Sequence, residues 1–205
     1  ENRVNHLAHL VLAGPDPDLR FGAVLADHVK GRLALQALPD GVRSGVVLHR
    51  RIDAWTDAHP AVLDLARSLG PPWRRYAGVI LDVLFDFMLD RHWARFGPMP
   101  LEAFAAEIDS LMRQRHDQMP PRMQRFTTWA REVSLWRRYG EREMLEGIFM
   151  LLARRHGRTE PLARGAELLD RRAPQIKTAF LELMPDLETA ARRFREQALV
   201  RLHDG

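Results

Sequence analysis

The sequence predicts an all-α fold: a single-domain helical bundle of eight to nine helices, spanning residues 1–205. Apolar residues recur at three- and four-residue spacing along most of the chain, the period of one helix face. Few segments alternate with period two over four or more residues. Clusters containing Pro and Gly cut the chain at helix-sized intervals. A length of 205 residues, 46% hydrophobic and 28% charged, is ample for one core and excludes global disorder.

Each helix has a reason to start and stop. Residues 5–13 form a short apolar segment ended by Gly14-Pro15-Asp16-Pro17. A second helix over 20–31 closes at Gly31, a residue suited to the left-handed position past a helix end. Pro39-Asp40-Gly41 precedes a helix over 42–57, with Val42, Val46, Val47 and Ile52 at helical spacing. His59-Pro60 interrupts it, and 61–69 continues to Gly70-Pro71-Pro72. The helix over 73–96 carries Tyr76, Ile80, Val83, Leu84, Phe87 and Leu89, and Gly97-Pro98-Met99-Pro100 ends it. Helices over 101–115, 121–138, 141–156, 161–183 and 186–202 follow, with breakers at Pro120, Gly140, Gly157 and Pro185. Chemistry-bearing residues concentrate in 5–96; residues 100–203 read as a helical remainder.

Composition narrows the function classes. The chain has no Cys, which excludes disulfides, iron–sulfur clusters, thiolate zinc sites and cysteine nucleophiles. The formal charge is +4, and Lys30 and Lys177 are the only lysines among 31 cationic residues. A GC-rich genome that encodes Arg in place of Lys is one account of that arginine, and an acidic or phosphorylated partner, which guanidinium suits, is the other. The arginines are spread rather than gathered on one helix, so no nucleic-acid partner is expected. No apolar run reaches the roughly 18 residues that span a bilayer. A cytoplasmic protein without a membrane partner is the expectation.

Acids and histidines crowd the first half. His49, Asp53 and Asp57 repeat every four residues, as do Asp82, Asp86 and Asp90, so each set shares a helix face. VILDVLFDFML places Asp82 and Asp86 in one of the most apolar windows of the chain, and Asp27 sits similarly in AVLADHV. A carboxylate is costly to desolvate unless it is paired, hydrogen-bonded or metal-bound. Imidazoles and carboxylates converging from several helices form one kind of bundle metal site, and buried pairing with arginine is the competing account. Asp57 and His59 fit a helix end. His116-Asp117 and His203-Asp204 lie at a helix end and in the tail, where a dipeptide match means little.

The strings NHLAHLVLA (5–13), FGAVLADHVKG (21–31), LHRRIDAWTDAHP (48–60) and RYAGVILDVLFDFMLDRHW (75–93) resemble the acyl carrier protein phosphodiesterases, a divergent branch of the HD-type phosphohydrolases. The resemblance is strongest over roughly the first 95 residues. It implies an HD-like all-α fold and a divalent metal, Mn²⁺ first, with Mg²⁺ or Fe²⁺ as alternatives. The reaction implied is hydrolysis of the phosphodiester joining 4′-phosphopantetheine to a serine of holo-acyl carrier protein. The family's N-x-L-A-H falls on His9, and its L-A-D-x-V-[KR]-G on Asp27 and Lys30. Its H-R-R-I-D falls on His49, Arg50, Arg51 and Asp53, and its L-D-x-x-x-D on Asp82 and Asp86. On this basis His9, Asp27, His49, Asp53 and Asp86 are the expected metal set. Asp27 is also expected to be essential to turnover, Asp82 to serve as a base or supporting carboxylate, and Lys30 and Arg50 to clamp phosphoryl oxygens. An arginine rim drawn from Arg43, Arg50, Arg51, Arg74, Arg75, Arg137 and Arg138 would steer the acidic carrier. The sequence departs from the family at Phe87, where His is frequent, and at His28, where an aromatic is usual. A nucleotide-directed phosphohydrolase and a non-catalytic helical module for an acidic partner are the alternative functions.

Overall fold

A computed structural model describes residues 6–157 and 160–203; Asn5 of the first motif and Asp204 of the tail lie outside them. Among the described residues every regular element is helical. The α-helices are α1 (Leu7–Leu12), α2 (Pro17–Leu25), α3 (Arg32–Gln36), α4 (Asp40–Ala58), α5 (Pro60–Ser68), α6 (Ala77–Arg91) and α7 (Trp93–Phe96), then α8 (Leu101–Gln114), α9 (Pro121–Glu132), α10 (Leu135–Arg138), α11 (Arg142–Arg155), α12 (Glu160–Ala163) and α13 (Glu167–His203). Short 3₁₀ turns occupy Ala26–His28, Arg74–Tyr76 and His116–Gln118. The all-α class holds, with more and shorter helices than the eight to nine expected.

Three boundaries differ from expectation for local reasons. The helix expected over 20–31 ends at Leu25, and Asp27 sits in the 3₁₀ turn that follows. Val29 is extended, its carbonyl accepts from the Arg50 guanidinium at 2.7 Å, and Gly31, at φ 83°, opens α3 rather than closing α2. The segment 121–138 breaks at Ser134, which adopts a left-handed φ of 55°. Conversely, Pro185 does not break the last helix: α13 runs for 37 residues through both Pro174 and Pro185. Each proline removes one backbone donor. The buried Ile176, Phe180, Leu183, Met184, Leu187 and Ala191 keep helical spacing across Pro185, so tertiary packing carries the helix past it.

One contiguous apolar core runs from Leu7 to Ala191. The amphipathic stripe of α13 packs on α4, α5 and α6, and α6 is buried along most of its length. The tightest contact lies between α2 and α4. A Cβ on Gly22 would meet the Val42 carbonyl oxygen at 2.2 Å, and one on Gly45 the Leu19 carbonyl oxygen at 2.4 Å. Backbone therefore touches backbone, which brings the turn after α2 beside the middle of α4.

Adding a methyl there forces the helices apart. Gly45→Ala is expected to lower stability by about 1–3 kcal/mol and the melting temperature by several degrees. Gly78→Ala, where an added Cβ meets nothing within 4 Å, is expected to be neutral or stabilising. Thermal melts of the two variants beside the parent protein check this; equal melting temperatures contradict it.

Candidate metal centre

Helical periodicity builds the centre on α4. His49 and Asp53, four residues apart, share one face, and the Asp53 Oδ2 lies 3.5 Å from the His49 Nε2. Helix α1 delivers His9, whose Nε2 lies 3.3 Å from the other Asp53 oxygen. The two imidazoles stack with centroids 3.8 Å apart and an interplanar angle of 14°. One ligand atom from each of His9, His49 and Asp53 falls within 4.8 Å of the other two.

The 3₁₀ turn after α2 adds Asp27. Its Oδ1 is 4.0 Å from the His49 Nε2, and its Oδ2 is 3.8 Å from the Nε2 of His6, the buried residue just before α1. These separations exceed the about 2.7–2.9 Å of a charge-assisted hydrogen bond. They all fall below the roughly 4.4 Å that can separate two donors bound to one cation at about 2.2 Å. Paired imidazoles and carboxylates without sulfur suit a divalent ion of intermediate hardness. The donor set therefore fits a metal.

The remaining expected residues take other positions. Asp86, buried within apolar α6, turns both oxygens to the start of α1: Oδ2 accepts from the Leu7 N–H at 2.9 Å and Oδ1 from the Ala8 N–H at 2.8 Å. Those donors are among the four that a helix start leaves unpaired. Asp86 thus stands behind His9, outside the group formed by His9, His49 and Asp53. Asp82, one turn earlier on α6, is half-buried and its charge acts on His9. Lys30 is exposed just beyond the 3₁₀ turn, and Arg50 is committed in part to the Val29 carbonyl. In the expected rim, Arg43 pairs with Asp40, Arg137 with Glu102 and Asp109, and Arg138 with Glu141. Arg51 stacks on Phe194, with its guanidinium 5.1 Å from the ring centroid. His116 and Asp117 are exposed in their own turn, and His59 opens α5 facing Asp186.

Two participants escaped the sequence reading. His6 lies three residues from His9, a spacing that places both on one helical face and was the available signal. Arg155, at the end of α11, lies near enough to Asp27 for the two charges to interact. No local pattern distinguishes it from its neighbour Arg154. His28, which replaces an aromatic of the family pattern, is half-buried beside Asp27, and burial with the charge of Arg122 lowers its pKa.

Electrostatics separates the two central imidazoles. Burial and the neighbouring His9 hold His49 well below the ordinary histidine value, against the pull of Asp53. Burial also opposes charge on His9, but Asp53, with Asp86 and Asp82 behind it, outweighs that and raises its pKa. Burial pushes Asp86 up to about 6, although the Ala8 and Leu7 amides favour its ionised form.

Comparison with known proteins gives a consistent result. The sequence model of a family described as acyl carrier protein phosphodiesterase matches residues 4–187. A protein of Enterobacter sp. (strain 638) named acyl carrier protein phosphodiesterase is 32% identical over 190 residues, covering 92% of this chain and 98% of the relative. Proteins of the same name from Serratia proteamaculans (strain 568) and Salmonella dublin are 30% and 31% identical, with 92% and 93% of this chain and 98% of each relative covered. No solved structure matches the chain.

The Asp86 interaction gives a signed pH dependence for the metal-free protein. Between the ordinary 3.8 and about 6, the native state binds more protons at this group than the unfolded chain does. Its contribution to stability therefore falls as pH rises through that window. In EDTA, the stability difference between the parent protein and Asp86→Asn is expected to shift against the parent by about 1–3 kcal/mol from pH 4 to 6.5. Urea unfolding of both proteins across that range measures it; a flat difference, or one widening in favour of the parent, contradicts the assignment.

Proposed function

Because the chain belongs to the acyl carrier protein phosphodiesterase family, we propose that it removes the prosthetic group of holo-acyl carrier protein. Water adds to phosphorus, and the bond between phosphorus and the carrier's serine oxygen breaks. The phosphate leaves with pantetheine as 4′-phosphopantetheine, and the serine oxygen takes a proton to give apo-carrier. The family match over residues 4–187 is the observation that carries this reading.

The convergent donors support a metal-dependent route. His9, His49 and Asp53 would hold the ion, with Asp27 completing its surroundings. Mn²⁺ is the first choice, and Mg²⁺ or Fe²⁺ fits the same oxygen and nitrogen donors. Such an ion, when bound, polarises a phosphoryl oxygen and makes its water acidic enough to react near neutral pH. The chain's own groups do the remaining work. His49, held neutral by burial, keeps a lone pair available to a cation. Asp86 fixes the start of α1 and with it the direction of His9. Lys30, exposed just beyond the 3₁₀ turn, and Arg155, whose charge acts on Asp27, would receive the anionic diester. Arg50 holds the backbone between Asp27 and Lys30 through the Val29 carbonyl, so its part in the clamp is to position that segment.

The exposed Lys30 and Arg155 suit an acidic protein substrate, for which complementary charge chiefly raises the encounter rate. Among the described residues, no helix is long and apolar enough to cross a membrane. A cytoplasmic location and a link to fatty-acid synthesis belong to the same reading.

Incubation of the full chain with holo-acyl carrier protein and Mn²⁺ is expected to yield apo-carrier, read as loss of the phosphopantetheine mass. EDTA removes the activity and added Mn²⁺ restores it. Asp27→Ala is expected to lower kcat by about 10³-fold or more with helix content unchanged by circular dichroism. Intact holo-carrier after prolonged incubation, or full turnover by Asp27→Ala, contradicts the assignment. Steering has its own signature. The kcat/KM for carrier is expected to fall as salt is raised, and Lys30→Ala/Arg155→Ala to flatten that dependence; a salt-independent parent enzyme contradicts it.

A further inference from the structure

We propose that α3 is the carrier-docking element of this chain: Leu33 enters an apolar hollow on the acidic carrier, and Arg32 pairs with carboxylates around that hollow. The proposal rests on the phosphodiesterase reading and names the surface by which that reaction selects its protein substrate.

The chemistry of the substrate decides where such a surface must lie. The bond that breaks joins phosphorus to a serine oxygen of the carrier, so the carrier's own backbone comes within a few bonds of the reacting atom. Its folded surface, and not only its prosthetic arm, must then rest against the rim of the donor cluster. Asp27 belongs to that cluster, and Leu33 follows it by six residues, a span of at most about 20 Å even for extended chain. The connection is fixed as well as short. Arg50 holds the Val29 carbonyl, and Gly31 takes φ 83° and ψ 164°, a conformation open essentially to glycine alone. Beyond it the Leu35 N–H donates to the Gly31 carbonyl at 3.3 Å, and the Ala37 N–H to the Leu33 carbonyl at 3.1 Å.

Helix α3 presents itself to a partner. None of its five residues is buried. Leu35 and, just past the helix, Leu38 rest partly on the core, whereas Leu33 is 83% exposed. Two other large apolar side chains are exposed among the described residues, Met150 at 45% and Leu63 at 40%, so each still keeps more than half of its surface covered. A lone exposed leucine needs no explanation by itself. Leu33 differs in standing beside the site and in the charge around it. From His28 to Pro39 the chain carries Lys30 and Arg32 and no acid. Both cations are exposed, and neither has an acidic partner among the described residues. Elsewhere arginine is spent on the chain's own acids, as Arg142 is on Glu146 and Asp170, and Arg164 on Glu160 and Glu167. An apolar knob beside free cations matches an acidic protein. A second copy of this chain is the poorer occupant, because a two-fold contact through α3 sets Lys30 and Arg32 against their own copies.

The test is steady-state turnover of holo-acyl carrier protein by the full chain with Mn²⁺, read as apo-carrier by mass, beside sedimentation of each protein alone. Leu33→Glu and Arg32→Glu are each expected to raise KM for the carrier by about tenfold or more, with kcat at saturating carrier and the melting temperature unchanged. Leu33→Met, which keeps an apolar side chain of similar size, is expected to retain the parent KM. An unchanged KM in Leu33→Glu, or a loss confined to kcat, overturns the docking assignment, while turnover by the parent keeps the phosphodiesterase reading. A parent protein that sediments as a dimer and turns monomeric on Leu33→Glu gives the face to a second copy and also overturns it. A parent protein that leaves holo-carrier intact overturns the phosphodiesterase reading and the docking assignment with it. Should Leu33→Glu fail to fold, Arg32→Glu decides alone.

Discussion

A single buried carboxylate organises the active end of this molecule. Asp86 lies in the middle of an apolar helix and gives both oxygens to the backbone at the start of another. Helix α1 is six residues long, too short to persist alone, because nucleation costs more than one turn returns. Its side chains make it apolar enough to bury, but burial leaves its first N–H groups without water. Asp86 supplies the acceptors. In doing so it fixes how α1 crosses the bundle, and with it the positions of His6 and His9. The elevated pKa of Asp86 shows that desolvation is not fully offset by those two bonds. That residual cost is the kind that natural proteins tolerate where geometry must be exact for function.

The other half of the site depends on steric contact rather than charge. Helices α2 and α4 meet through Gly22 and Gly45, whose α-carbons leave no room for a side chain between them. This closeness allows Asp27, just past the end of α2, to face His49 on α4. Arg50 then ties the Val29 carbonyl back to α4 and stops the turn from drifting outward. One half of the cluster is thus placed by a hydrogen-bonded carboxylate and the other by two absent side chains. Neither device draws on the central group of His9, His49 and Asp53 itself.

Much of this was readable from the sequence, and the exceptions have physical causes. The i, i+4 spacing of His49 and Asp53 is a property of one helix, so the pair could be assigned to one face from numbering alone. The apolar surroundings of Asp86 signalled that it must be compensated, but two compensations were available, a cation or backbone donors. Only the packing of α1 against α6 distinguishes them. The same limit applies to Asp27. Its placement in a 3₁₀ turn follows from a contact between helices, whereas local pattern favoured a continuous helix to Gly31. Pro185 erred in the opposite direction, because a local rule about breakers yielded to an apolar stripe that continues on both sides. Arg155 had no signal at all, since its relation to Asp27 spans more than a hundred residues and arginine is the commonest cation in this chain.

The second half of the chain therefore does more than complete the core. It carries no motif, yet α9, α10 and α11 approach the site with Phe126, Tyr139 and Arg155, and α13 supports α4 from behind. Phe126 and Tyr139 enclose His6, which excludes water from one side of the cluster and strengthens every charge interaction within it. Arg155 adds the opposite influence, an exposed cation whose charge acts on Asp27. The cluster is thus closed by aromatic side chains on the His6 side, while the exposed cations Arg155 and Lys30 belong to the side of Asp27.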